Sequence, residues 1–202
     1  RFYGINIHGI AHDNKYAEGQ HFVESMKLLQ VDVYGIQEVN LNLSCPHIQH
    51  DVITTLKIND NQAKMQISTS PELYPNKYKP GGTITGVSGK LKGRIDKCGS
   101  DYLGRWSWIT LEGKKLKKTT IITAYRVCPG NVHSSDGTIW KQEWRGLSTP
   151  THPTPDPRKQ VLLDLGKFVT TLQRDEHSII MFIDANDHKQ TSPFTKFYTD
   201  LD

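Results

Sequence analysis

The order of the hydrophobic patterns constrains this chain more than any other feature: strand–helix–strand units flank a central block of alternating strands. At the start, "RFYGINIHGI" holds β-type residues and a glycine-containing exit, so a first strand is expected to run to about Asn6 or Ile7. "NKYAEGQHFVESMKLLQ" sets Tyr16, Phe22, Val23, Met26 and Leu29 near helical spacing, and "VDVYGIQEVNL" follows as a second apolar strand. "HDVITTLKINDNQAKMQIST" begins helix-like and ends strand-like. "GGTITGVSGKLKGRIDK" alternates and reads as hairpin strands. "GRWSWITLEGKKLKKTTIITAYRVC" is a clear hairpin, two alternating runs joined by a lysine-rich turn.

Beyond that block the chain is irregular from Pro129 to Pro157, with Trp140 and Trp144 on a short helix. "STPTHPTPDP" is a loop by its proline and threonine content. Asp156 and Pro157 then open a helix whose apolar residues fall at 161, 162, 165, 168, 169 and 172. "SIIMFID" is an apolar run of strand length, read as a strand covered on both faces. A regular parallel α/β fold does not follow this order. Mixed αβ units and antiparallel hairpins predict sheets packed face to face with helices outside. No internal repeat or linker divides the 202 residues, so one domain is expected.

The formal charge of +4 allows a polyanionic partner without demanding one. Cys45, Cys98 and Cys128 are irregularly spaced, which argues against a disulfide framework and for a reducing, intracellular compartment. No apolar run approaches the ~20 residues needed to cross a bilayer, so no membrane partner is expected. The chain opens on Arg1 inside a strand-like run, as a partial domain would.

Function is written at the strand ends. Asn6 and His8 leave the first strand in "NIHG", Glu38 leaves the second in "IQEVN". Tyr125 and Arg126 leave the hairpin in "TAYRV", and Asp184 and Asn186 leave the last strand in "IDAND". If these ends converge, they assemble two carboxylates, two amides, a phenol and a guanidinium. Carboxylate oxygens hold Mg²⁺ with water completing its shell. Amide, phenol and guanidinium groups donate to phosphate oxygens as charge builds there. A second carboxylate held off the metal can take a proton from attacking water. Each residue has a plainer use too: Asp184 and Asn186 as a turn, Tyr125 as core, Arg126 as partner of a structural carboxylate.

The motifs "NIHG", "IQEVN", "GGTITGV", "TAYRV" and "FIDAND", in this order over nearly the whole chain, resemble the endonuclease/exonuclease/phosphatase superfamily. "TIWKQEWRGL" followed by "PDPRKQVLLDLGKFV" resembles the nuclease domains attached to reverse transcriptases in non-LTR retroelements. The resemblance implies an α+β fold: a four-layer α/β/β/α sandwich of two mixed β-sheets, DNase I-like, here missing its last strands. It implies Mg²⁺ (with Mn²⁺ as a substitute) held by Glu38 with Asn6, water activated by Asp184, and Asn186 and Tyr125 at the scissile phosphate. Arg126 is a further candidate for substrate contact. The expected activity is nicking of DNA, the expected parent carries a reverse transcriptase, and the expected location is nuclear if the source is a retroelement. A phosphatase of inositol phosphates or lipid headgroups, or a degenerate nucleic-acid-binding scaffold, are the alternatives.

The chain departs from the resemblance in two places. His8 stands where many AP endonucleases have Asp, and no Ser-Asp-His motif occurs before Asp202. Residues 1–202 alone are therefore expected to hydrolyse poorly. Two lysine-rich stretches, 90–97 and 114–118, would track a nucleic-acid backbone if they flanked the pocket. Trp106 and Trp108 are expected in the core. In "CPHIQHD" Pro46 predicts a loop, and no second ligand cluster completes a metal site around Cys45, His47 and His50.

Overall fold

The computed structural model describes residues 1–10, 16–57, 63–187 and 193–199. Its frame is two four-stranded mixed sheets. The first holds β1 (Phe2–Asn6), β2 (Val33–Gln37), β3 (Lys64–Ser68) and β4 (Thr83–Val87), in the order β1-β2-β4-β3. β1 and β2 run parallel, and β4 is antiparallel to both β2 and β3. The second holds β5 (Ile95–Ser100), β6 (Trp106–Glu112), β7 (Lys118–Tyr125) and β8 (Ser178–Asp184), in sequential order, with only β7 and β8 parallel.

Helices cover the outer faces. α1 (Ala17–Leu28) and α2 (Pro46–Thr55) bury Phe22, Val23, Met26, Ile48 and Val52 against Tyr34, Ile36 and Ile84 of the first sheet. α4 (Pro157–Arg174) lays Val161, Leu162, Leu165, Val169 and Leu172 on the second, beside Trp106, Ile122 and Ala124. Its start follows local chemistry: Asp156 accepts from the amides of Arg158 and Lys159, and Pro157 occupies a position that needs no amide hydrogen. α5 (Pro193–Thr199) adds Phe194 and Phe197 to the same layer. α3 (Ile139–Leu147), capped by Thr138, packs Trp140 against Tyr125 and Val127. The architecture is the expected α/β/β/α sandwich.

Two local expectations are corrected. Residues 83–97 are not a hairpin: β4 ends, a short 3-10 helix (Gly89–Arg94) follows, and β5 joins the other sheet. Pro46 opens α2 instead of a loop, because proline is harmless where a helix has no amide to bond. As expected, β8 is covered on both faces, by α4 at Ile179, Met181 and Ile183 and by the facing sheet at Ile180 and Phe182, and it is half-buried because it stands at the end of its sheet's order.

The two sheets touch through small and hydroxyl-bearing residues. Thr85 Oγ1 bonds Ser107 and Thr123 across the gap, at 2.8 and 2.9 Å between hydroxyls. Phe182 of β8 enters opposite Gly4 and Gly35, which are partners in the β1–β2 register. A Cβ on Gly4 would stand 2.5 Å from the Phe182 ring, and one on Gly35 would stand 2.6 Å from it. That close approach decides the geometry of the site.

Candidate active site

Side chains two residues apart on a strand share a face. Gly4 and Asn6 do so on β1, Phe182 and Asp184 on β8. The packing of Phe182 on glycine therefore brings the strand tips together, and Asn6 Nδ2 donates to Asp184 Oδ2 at 2.5 Å. Parallel pairing completes the convergence, because β1 and β2 end together and so do β7 and β8. Gln37 is the register partner of Asn6, and Tyr125 that of Asp184.

Glu38 follows β2 with a left-handed φ of 53°, a conformation that costs an ordinary L-residue roughly 1–2 kcal/mol. Two contacts hold it. The Tyr125 hydroxyl donates to Glu38 Oε1 across the two sheets. His8 Nδ1 stands 3.2 Å from Oε2, with His8 almost fully exposed and Glu38 13% exposed. Burial first, then the bond to Glu38 and its charge, pushes the Tyr125 phenol well above its ordinary range, so it stays a donor. His8, Asn40 and Asn186 are also left-handed, with φ of 54°, 55° and 45°. Left-handed non-glycine residues gathered at strand exits are the kind of strain that functional sites retain. Asn40 is secured by a reciprocal pair with Gly81, each bond 2.8 Å.

Asp184 accepts a second bond, from the amide of Asn186 to Oδ1 at 3.1 Å, which fixes its carboxylate plane. Asn186 donates from Nδ2 to the carbonyl of Arg126 at 2.7 Å and accepts from Cys128 Sγ at 3.3 Å. One Nδ2 hydrogen remains for another acceptor.

The structure brings Asn6, Glu38, Tyr125, Asp184 and Asn186 together. Three placements differ from expectation. The Tyr125 hydroxyl is turned onto Glu38, so it orients that carboxylate. Asn6 bridges Asp184 and the His8 amide, which donates to Asn6 Oδ1 at 2.8 Å. Arg126, expected to meet substrate, is 3% exposed and faces inward. Its guanidinium donates to Asp187 Oδ2 at 2.6 Å, to the Ala185 carbonyl at 3.3 Å and to the Arg158 carbonyl at 3.1 Å.

Arg158, and the pairing of Asp187 with Arg126, escaped sequence reasoning. From the first turn of α4, Arg158 donates to the carbonyl of Val127 and, at 2.9 Å, to that of Asn186. The two arginines thus tie the segment after β8 to the segment after β7. Main-chain carbonyls are their chief partners, and no side-chain pattern announces a carbonyl. The lysine-rich stretches are also displaced: both adjoin the opposite ends of the strands, where β4 ends and β7 begins.

Similar architectures are known at low sequence identity. The Xenopus laevis APE2 catalytic domain matches with a TM-score of 0.57 at 11% identity, over 98% of this chain and 66% of that one. The human Nocturnin catalytic domain matches at 0.54 and 15% identity, over 96% and 66%. An endonuclease/exonuclease/phosphatase family protein from Leptotrichia buccalis C-1013-b matches at 0.50 and 15% identity, over 98% and 72%. The chain has the DNase I-like fold.

This DNase I-like chain spans just under two thirds of the APE2 and Nocturnin structures, 66% of each. No protein-family profile and no curated protein matches its sequence. Among the described residues, no three His, Cys, Asp or Glu side chains cluster in a way that could hold a metal. The donors at the strand tips suit a hard cation with few protein ligands: Glu38 offers two carboxylate oxygens and Asn6 one amide oxygen, and Mg²⁺ takes one or two carboxylates with water.

Proposed function

We propose that this chain carries the hydrolytic site of a Mg²⁺-dependent phosphodiesterase acting on DNA. The observation behind the reading is the pair of cross-sheet bonds, Asn6 to Asp184 and Tyr125 to Glu38, which gather two carboxylates at one end of a DNase I-like sandwich.

Bound beside Glu38 and Asn6, Mg²⁺ supplies positive charge where the phosphate becomes more negative. Asp184, oriented by Asn6 and by the Asn186 amide, accepts the proton of the attacking water. Asn186 directs its remaining Nδ2 hydrogen to a phosphate oxygen. Tyr125 and His8 keep Glu38 in its left-handed conformation. Arg126 and Arg158 hold the Asn186 segment in register with β7. Nicking of target DNA for a retroelement, beside a reverse transcriptase, is the setting we assign from the sequence resemblance.

A plasmid-nicking assay with and without Mg²⁺ tests the reading, on residues 1–202 and on the full-length protein, with the wild type, Glu38→Ala and Asp184→Asn compared in the full-length protein. Metal-dependent nicking that either substitution suppresses by at least about 10²-fold supports it. Hydrolysis of inositol phosphates with none of DNA overturns the choice of substrate. Unchanged nicking by Glu38→Ala overturns the metal assignment.

A further inference from the structure

The pole opposite the strand tips concentrates the chain's positive charge. The 3-10 helix and the start of β5 bring Lys90, Lys92, Arg94 and Lys97 there, and the β6–β7 hairpin tip brings Lys114, Lys115, Lys117 and Lys118. Residues 89–97 and 112–118 hold these eight cations against Asp96 and Glu112, a net of +6, while the whole chain nets +4. The remainder of the molecule is therefore net negative.

These segments form one surface. Lys118 Nζ pairs with Asp96 Oδ2 at 2.7 Å, joining the hairpin tip to β5. A cavity of about 760 Å³ lies between them, lined by Lys97, Trp108, Lys115, Lys117, Lys118 and His177. Asp175 and Glu176 also border it, as does Asp96. Asp175 is offset by Arg174, 3.7 Å away. His177 Nδ1 is 2.8 Å from Thr120 Oγ1, which fixes the ring at the cavity wall.

We propose that this pole is a second nucleic-acid contact, which grips the phosphodiester backbone of a strand remote from the hydrolytic site. The choice of ligand rests on the reading of the site as acting on DNA. Lysines on flexible stems neutralise phosphates without reading bases, so the contact is sequence-independent and salt-sensitive. An anionic bilayer would match the charge and the exposed Leu116 at the tip, but four of the eight cations, Lys97, Lys115, Lys117 and Lys118, border a recess that a flat membrane cannot enter and a strand can. The eight residues of β7 separate pole and site by about 26 Å at about 3.3 Å per residue. A substrate must span that distance to use both.

Fluorescence anisotropy with a labelled 30-nucleotide single strand in EDTA, over a salt series, tests the contact without catalysis. Lys115→Glu/Lys117→Glu is expected to bind at least about tenfold more weakly, with a salt slope shallower by about 1.4 for two lost phosphate contacts. Lys115→Arg/Lys117→Arg should bind as the wild type does. With bis(p-nitrophenyl) phosphate, too short to reach the pole, the Glu variant of the full-length protein should hydrolyse as fast as its wild type. A failed catalytic reading shows as no hydrolysis by the full-length wild type, and the binding arm stands apart from it. Unchanged affinity of the Glu variant overturns the proposal. So does loss of binding to phosphatidylserine vesicles with DNA binding intact, which would make the pole a membrane contact.

Discussion

Tyr125 donates its hydroxyl hydrogen to Glu38, so the last residue of β7 in one sheet fixes the first residue after β2 in the other. The contact crosses the whole sandwich interface. It gives a buried phenol a partner and gives a strained carboxylate a fixed direction.

Tyr125→Phe keeps the ring's packing against Val127 and Trp140 and removes that bond together with the hydroxyl's 3.9 Å contact to Cys128 Sγ. Outer partners of metal ligands are worth about 10- to 100-fold in metal affinity. Isothermal titration should show Mg²⁺ binding weakened by that factor, with thermal stability lowered by about 1 kcal/mol. Equal Mg²⁺ affinity in both proteins would remove Tyr125 from the metal's support.

The brace after β8 should be felt in dynamics as well as turnover. Arg158→Ala removes donors to the Val127 and Asn186 carbonyls, so amide exchange at residues 185–187 should quicken and nicking should slow. Arg126→Met takes a cation from 2.6 Å beside Asp187 while Arg158 stays 4.0 Å away, so stability should fall by less than about 3–5 kcal/mol, the cost of a fully uncompensated buried charge. Chemical denaturation measures that loss directly. Unaltered exchange in Arg158→Ala would show that Asn186 is held by other means.

Gly35 is predicted to be intolerant of a single methyl group. An alanine Cβ there would meet the Phe182 ring and Thr123 Oγ1, both at 2.6 Å, and the sheets would have to part. Overpacking of this kind costs about 1–3 kcal/mol. Gly35→Ala should therefore lower the melting temperature and, by separating Asn6 from Asp184, reduce nicking. Adding Phe182→Leu should restore part of the stability.

Glu143 governs a pH effect. It is 4% exposed, and burial pushes its carboxyl up from 4.5 to about 8. Below pH 4.5 it is neutral whether the chain is folded or not, and it costs nothing. Between about 4.5 and 8 the unfolded chain ionises while the folded one keeps its proton, so stability falls as pH rises and the loss is complete above about 8. Glu143→Gln should melt higher than the wild type at pH 8, by at least about 3 °C, and match it near pH 4.5. A gap of the same size at both pH values would refute the assignment.

Much of this protein could be read without coordinates. The periodicity of α4 and its Asp156–Pro157 start are local, and so are the alternation of β6 and β7 and the polar tips of β1, β2, β7 and β8. Helix caps and side-chain periods act within a few residues, so neighbours in sequence suffice to specify them. Residues 83–97 misled because alternation is the same whether the next strand joins its own sheet or the other.

Tertiary structure alone decided what each tip does. Arg126 could have faced a ligand or the protein, and the carbonyls of Ala185 and Arg158 with Asp187 turned it inward. Tyr125 found Glu38, 87 residues away, because two different sheets end side by side. The lysine-rich stretches went to the far pole because strand direction sets which way a hairpin tip points. Direction comes from long-range pairing, and the energy of that pairing lies in contacts between segments that share no local pattern.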